Sequence, residues 1–165
     1  NAATQILAPI DKLTFKNWQQ TININLSSVF ILIKELLPKI EEKKGSVVNI
    51  ASIHATLTKS SFSAYATSKA GLVGLTKSLA VELGSRVRIN AICPGAIDTP
   101  MLHESFIGNP NGLKELRNFH PSNSIGSVED VTRAVLFLAD CNNTFLSGSI
   151  LNLDGGISRR LHDPE

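Results

Sequence analysis

Tyr65 is the only tyrosine in the 165-residue chain, and Lys69 follows it by four positions within "SAYATSKAGLVGLTKSLAVEL", residues 63–83. Residues at i and i+4 share a helix face, so the lysine ammonium can stand beside the phenol. A phenol with an ordinary pKa near ~10 is a poor base at neutral pH. A cation ~5 Å away at an effective dielectric of ~20 favours the phenolate by roughly 3 kcal/mol, or about two pKa units, which moves it toward the range useful for general acid–base catalysis. The chemistry such a pair serves is proton transfer to a carbonyl or from an alcohol. Ser52, thirteen residues before Tyr65, could hold the reacting oxygen through its hydroxyl. Taken alone, the Tyr–Lys spacing also describes a surface pair on a solvated helix, so the case depends on the elements around it.

Those elements can be read from periodicity. From Lys16 to Lys39 the apolar residues Trp18, Ile22, Leu26, Val29, Ile33 and Leu36 recur at three and four, which predicts one long helix. Gly45 introduces "SVVNIAS", a short β-branched run that predicts a buried strand ending at Ser52. In the helix over 63–83, Leu72, Leu75, Leu79 and Leu83 form one stripe, while Ala66, Ala70, Val73 and Val81 make other faces apolar. Burial on more than one side is expected. "RVRINAICPG" predicts a second strand, ended by Pro94 and Gly95. Thr99 to Gly126, with Pro100, Gly108, Pro110, Gly112 and Pro121, reads as an irregular excursion with a helical turn near Leu113 to Phe119. Ser127 and Asp130 stand at capping-box spacing before a helix that ends ahead of Asn142. "SGSILNLDGG" predicts the last strand, and residues 157–165 a polar tail.

Helices alternating with strands predict an α/β fold with a parallel sheet covered on both faces. Ligands of such sheets gather beyond the carboxyl ends of the strands. That rule places Ser52, Pro94 and Gly95 at one crevice with the helix face of Tyr65 and Lys69.

Composition bounds the function. With 42% hydrophobic and 18% charged residues, the chain reads as one globular domain over 1–165. The net charge of +2 comes from scattered residues with no basic block beyond Arg159 and Arg160, so nucleic acid is not implied. Cys93 and Cys141 lack C-x-x-C spacing and there is no secretory leader, so a reduced, cytoplasmic setting is expected. The histidines (54, 103, 120 and 162) are too dispersed to suggest a metal site, and no apolar run approaches membrane-spanning length. His54 reads as a partly buried structural histidine or a substrate contact. His103 and His120 are expected in surface or loop packing, and Cys93 as a small buried hydrophobe.

Five stretches in order, "NLSSVF" after Trp18, "VVNIAS" with Ser52, "YATSK", "INAICPGAIDTPM" and "LSGSILNLDGG", resemble the short-chain dehydrogenase/reductases across nearly the whole chain. The resemblance implies a Rossmann-type doubly wound parallel sheet. It also implies an NAD- or NADP-dependent oxidoreductase that interconverts a secondary alcohol and a carbonyl compound by hydride transfer. On this likeness Tyr65 is the catalytic acid or base. Lys69 lowers its pKa and holds the nicotinamide ribose, Ser52 orients the substrate oxygen, and Asn25 keeps a water in the proton relay. Pro94, Gly95, Ile97 and Thr99 would line the nicotinamide, with the Thr99 hydroxyl reaching its carboxamide. Asn1 and Ala2 resemble the family's Asn-Asn-Ala-Gly segment, with Ala3 where glycine is usual. Residues 99–126 would form a lid over a small-molecule substrate, with Met101, Leu102, Phe106, Ile107 and Phe119 on its inner side. The helices at about 15–38 and 63–83 would build a homo-oligomer, a dimer or tetramer, with neither nucleic acid nor membrane as partner.

One part of the pattern is missing. The family's T-G-x-x-x-G-x-G turn, where glycines admit a pyrophosphate at a helix start, has no counterpart, and the eleven glycines include no G-x-G. The likeness begins inside the family's pattern. The expectation is therefore a catalytic half-domain without the first three strands and most of the fourth: about three parallel strands in order of appearance, the first with an open edge. By itself this half is expected to be inactive and to hold no dinucleotide. A non-catalytic binding or sensor protein on the same fold is the alternative; intact Asn25, Ser52, Tyr65 and Lys69 argue against it. A serine hydrolase built on Ser52 and a histidine would lack the G-x-S-x-G elbow.

Overall fold

The computed structural model describes residues 2–161. Its strands are β1 (Ser46–Ile50), β2 (Arg88–Pro94) and β3 (Ile150–Leu153). They form a parallel sheet in the order β1-β2-β3, with Ser46 opposite Arg88 and Ala91 opposite Ile150. The helices are α1 (Phe15–Ile22), α2 (Ser28–Glu42), α3 (Ser63–Leu83), α4 (Pro100–Glu104), α5 (Pro110–Phe119) and α6 (Val128–Ala139). Strand, helix and strand order agree with the alternation in the sequence.

Side chains of a strand alternate between faces, and β2 is covered on both. Ile89 and Cys93 face α2 and α3, packing with Leu83 and Val87 and with Ala51 and Leu72 respectively. Ile92 faces the other way, onto Ala134 and Leu138 of α6. Ile89, Ala91 and Ile92 are fully buried, which stabilises by about 1.5–3 kcal/mol for each large side chain. Two asparagines in this apolar layer are satisfied. Asn90 donates to Leu146 O at 2.9 Å and accepts from Ser149 N at 2.9 Å, which fixes the loop leading into β3. Asn49 donates to Thr76 Oγ1 at 2.9 Å and so ties β1 to α3.

The first helix departs from the sequence expectation. It runs from Phe15 to Glu42, through Pro38, but is broken into α1 and α2 by a π-helical turn at Asn23–Ser27. As one run of 28 residues, with an 18-residue window of mean hydropathy 1.2, it has the length and composition to cross a bilayer, which no single apolar run in the sequence suggested. Its polar residues tie it into the fold instead: Thr21 and Asn25 are buried, and Asn25 bonds Thr4 and, in α3, Ser68. The outer side of α3 also differs, since Val81 is 85% exposed and no described residue covers it.

The excursion after β2 is more regular than expected. Thr99 caps α4, with Pro100 opening the helix, and Asn109 caps α5, with Pro110 in the same place. A side-chain cap followed by proline starts a helix because proline's fixed φ suits the first turn and its missing N–H has no partner there anyway. The same residues that read as loop formers thus nucleate two short helices. The capping box at Ser127 and Asp130 forms as the sequence indicated.

Ala51 N donates to Ile92 O at 2.8 Å, so Val47, Asn49 and Ala51 turn their amides toward β2. Val48 and Ile50 turn theirs to the opposite edge, where no described strand pairs. Hydrogen exchange on the 165-residue chain is expected to label the Val48 and Ile50 amides well before those of Asn49 and Ala51. Equal protection would show that the edge is covered.

Candidate active site

Three elements converge beyond the carboxyl end of β1. Ser52 follows the strand in an extended conformation and starts a short 3₁₀ turn, Ile53–Ala55, by accepting the His54 amide at 3.2 Å. One lone pair of its hydroxyl is thereby occupied, and its proton is left for another oxygen. Tyr65 lies in the first turn of α3 and Lys69 one turn later; both are buried. The phenol ring is held edge-on by His54 and Phe62, at centroid separations of 5.7 and 6.2 Å, and those two rings stack on each other at 4.4 Å. Such edge contacts fix a ring's orientation as well as burying it. Lys69 donates to Ile50 O at 2.8 Å. That carbonyl is available because it points to the unpaired edge of β1.

Asn25 is buried at the centre of the π-helical turn. Its Oδ1 accepts Thr4 N at 2.8 Å, while its Nδ2 donates to Thr4 O at 2.9 Å and to Ser68 Oγ at 3.0 Å. Ser68 Oγ in turn donates to Tyr65 O at 2.7 Å. The amide thus joins the N-terminal segment, the first helix and the α3 turn between Tyr65 and Lys69. Both of its side-chain protons are used, and Oδ1 keeps one lone pair to accept from a relay water. Thr4 and Ser68 were missed in the sequence, although Ser68 stands inside "YATSK".

The opposite wall is the Pro94–Gly95 turn. A methyl group at Gly95 would lie 3.0 Å from Asp154 Cα and 3.3 Å from His120 Nε2, so a side chain there would crowd both. Ile97 bridges to Gly126. Thr99 Oγ1 donates to Ile97 O at 3.2 Å and accepts Leu102 N at 3.3 Å, so its proton is used on Ile97 O while its oxygen caps the helix. Ala2 is exposed and borders a groove of about 210 Å³ together with Asn25, Ile50, Lys69 and Leu72. Asn1 lies outside the described residues. His103 is exposed and contacts Asp98 at 2.6 Å. His120 is not at the surface but 3% exposed, turned inward by the bond from its Nδ1 to Leu116 O at 2.8 Å.

Burial governs the electrostatics. It raises the Tyr65 pKa above the ordinary phenol value, with the Ser52 hydroxyl acting in the opposite direction. The direction is opposite to the sequence expectation of a phenol lowered by Lys69: the ammonium is 5.7 Å from the ring centroid and bonded to Ile50 O, and burial sets the shift. Burial also brings Lys69 down to about 8, partly offset by the Cys93 thiol. His54 is brought down to about 4, by burial and then by the charge of Lys59, and is neutral at physiological pH. At neutral pH the site thus presents a protonated phenol and a serine hydroxyl, which is the state that donates protons.

A family model described as enoyl-(acyl carrier protein) reductase matches residues 1–158, and dehydrogenase/reductase SDR family member 6 of Danio rerio is 35% identical over 146 residues, 85% of this chain and 60% of that protein. The chain belongs to the short-chain dehydrogenase/reductase family. This short-chain dehydrogenase/reductase is 34% identical to 3beta-hydroxysteroid dehydrogenase 1 of Eggerthella lenta, covering 96% of the chain and 61% of the relative. The ligand-free aldohexose dehydrogenase of Thermoplasma acidophilum superposes with a TM-score of 0.96 at 33% identity, over 100% of this chain and 68% of that one. Two further solved relatives contain a dinucleotide: ElxO with NADP bound (TM-score 0.89, 28% identity, 97% of this chain and 66% of that one) and 4-hydroxyisoleucine dehydrogenase complexed with NADH (TM-score 0.89, 30% identity, 97% and 67%). The chain spans about three-fifths of the length of the curated relatives it matches.

The lowered Lys69 pKa has a consequence for stability. Between about pH 8 and the ordinary lysine value of 10.5 the unfolded chain holds a proton that the folded chain has released, so this group makes stability rise with pH across that window. The Tyr65 and Cys93 shifts, both upward from burial, act in the opposite sense toward alkaline pH. Denaturant titrations from pH 7 to 10 should therefore show the Lys69 contribution as a difference: Lys69→Met gains less, or loses more, stability than the parent as pH rises. Parallel curves would contradict a lowered Lys69.

Proposed function

We propose that this chain is the catalytic part of an NAD- or NADP-dependent oxidoreductase that interconverts a secondary alcohol and a carbonyl compound. The observation that carries the reading is the convergence of Ser52, Tyr65 and Lys69 at the carboxyl end of the sheet, with the phenol and the ammonium both withdrawn from water. In the reducing direction a substrate carbonyl oxygen would accept the Ser52 proton, which the His54 amide has directed away from the main chain, and then the Tyr65 proton. The Lys69 ammonium would lessen the cost of the phenolate left behind. In the oxidising direction the phenolate takes the alcohol proton.

The residues present suit a dinucleotide. Gly95 offers bare main chain where a Cβ would crowd Asp154 and His120. Lys69 uses one proton on Ile50 O and has two more to give, which fits a ribose diol. Asn1, Ala2, Pro94, Gly95, Ile97 and Thr99, with Tyr65 and Lys69, would hold the nicotinamide end. When bound, the dinucleotide supplies or accepts the hydride. Relatives with NADP and with NADH support either form of the cofactor. The phosphate-binding glycines would come from a preceding segment of the full-length protein, and the 165-residue chain alone would be inactive.

The reading extends to assembly and setting. Phe30 and Ile31 on α2 and Val81 on α3 are 47%, 53% and 85% exposed, which supports contact with a second copy of the protein. Light scattering of the full-length protein at micromolar concentration is expected to give a dimer or tetramer; a monomer would contradict this. Two free cysteines, Cys93 and Cys141, support a reduced, cytoplasmic setting.

The direct check of the chemistry is Tyr65→Phe in the full-length protein, assayed by nicotinamide absorbance on a panel of alcohols and ketones. Turnover is expected to fall by roughly two to four orders of magnitude, the range of general acid–base catalysis, with dinucleotide affinity kept. Near-normal turnover would remove Tyr65 from the role. Lys69→Ala should lower both turnover and dinucleotide affinity.

A further inference from the structure

His120 ends α5 and is buried between three elements that no sequence pattern connects. Its Nδ1 lies 2.8 Å from Leu116 O; a carbonyl only accepts, so this nitrogen carries the proton and the ring is fixed to the last turn of α5. Its own carbonyl accepts Asn123 N at 2.8 Å. The far edge of the ring meets the Pro94–Gly95 turn, where a methyl at Gly95 would stand 3.3 Å from Nε2. The same ring borders Gly155, where a methyl would stand 3.4 Å from Cβ and from Cδ2. That turn is secured twice, by Ser122 N donating to Gly155 O at 3.1 Å and by Gly95 N donating to Leu153 O at 2.9 Å.

We propose that His120 is a positioning residue: its ring, pinned to α5 at one edge and pressed on Gly95 at the other, couples the α4–α5 segment to the main-chain wall that receives the nicotinamide. The inference rests on the dinucleotide-dependent reading above. The coupling is mechanical, since the buried ring stands against Gly95 and passes a shift of the last turn of α5 to it. Gly95 lets the ring approach closely because it has no Cβ. The residue acts through Gly95 and touches no reacting atom.

The test uses the full-length protein and two ligands, the reduced dinucleotide and ADP-ribose, which lacks the nicotinamide. Calorimetry on His120→Ala is expected to show the dinucleotide weakened on the order of tenfold, the equivalent of one lost buried contact, and ADP-ribose unchanged. His120→Asn keeps a donor for Leu116 O but not the reach to Gly95. It should protect the last turn of α5 from hydrogen exchange as the parent does and still show the dinucleotide loss. Equal weakening of both ligands would make His120 a general stability residue and overturn the proposal, as would no change in either. A parent protein that binds neither ligand would overturn the dinucleotide reading instead. The coupling is then decided by exchange alone: His120→Ala must speed the Gly95 amide together with α5, and acceleration confined to α5 would overturn it.

Discussion

The side-chain amide of Asn25, itself buried, bonds the backbone of Thr4 in both directions and the hydroxyl of Ser68. Removing it would leave several buried polar groups unpaired, at about 1–3 kcal/mol each. The π-helical turn accompanies this demand: it sets Asn25 at the junction of the N-terminal segment and α3, and π-bulges of this kind occur most often at functional sites. Through Ser68 and the Tyr65 carbonyl the same amide anchors the turn of α3 that carries Tyr65 and Lys69. The spacing of the proton-transfer pair from β1 therefore depends on a residue two elements away.

That geometry has an electrostatic cost. A phenol and an ammonium enclosed together shift in opposite directions, both toward their neutral forms, because losing water penalises each charge. Aromatic contacts from His54 and Phe62 deepen the effect by shielding the ring. The result is a tyrosine set as a proton donor. Its partner lysine is meanwhile held on a main-chain carbonyl, with donors to spare for a polyol such as a ribose.

Much of this was legible in the residues. A leucine stripe gave α3, and short apolar, β-branched runs bounded by turn residues gave the three strands. Ser52 and the Tyr65–Lys69 pair could be placed together by the rule for parallel sheets alone. What periodicity could not show was the break at Asn25, because a π-helical turn keeps the apolar stripe nearly in phase. The helix after Thr99 was hidden by its proline, which reads as loop punctuation unless the preceding residue is recognised as a cap; of α5 the turn from Leu113 to Phe119 was legible, but its start at Asn109 and Pro110 was not. The sign of the Tyr65 shift was out of reach for a different reason. A one-turn spacing reports the lysine's distance, whereas the dominant effect is burial by His54, Phe62 and the sheet, which only the assembled fold reveals. His120 shows the same limit: a histidine in a polar, glycine-rich stretch gives no sign that its ring is turned inward.

The central claim is that Tyr65 is kept as a neutral acid by burial and exchanges its proton under the restraint of Lys69. The most direct measurement is the pH titration of the tyrosine Cζ resonance in the full-length protein labelled at tyrosine, with the Tyr65 signal assigned by its loss in Tyr65→Phe. The account predicts a midpoint above the ordinary phenol value of about 10, and the same rise in Lys69→Met, because Lys69, brought down to about 8 by burial, is already neutral where the phenol titrates. A midpoint at or below that value would contradict it.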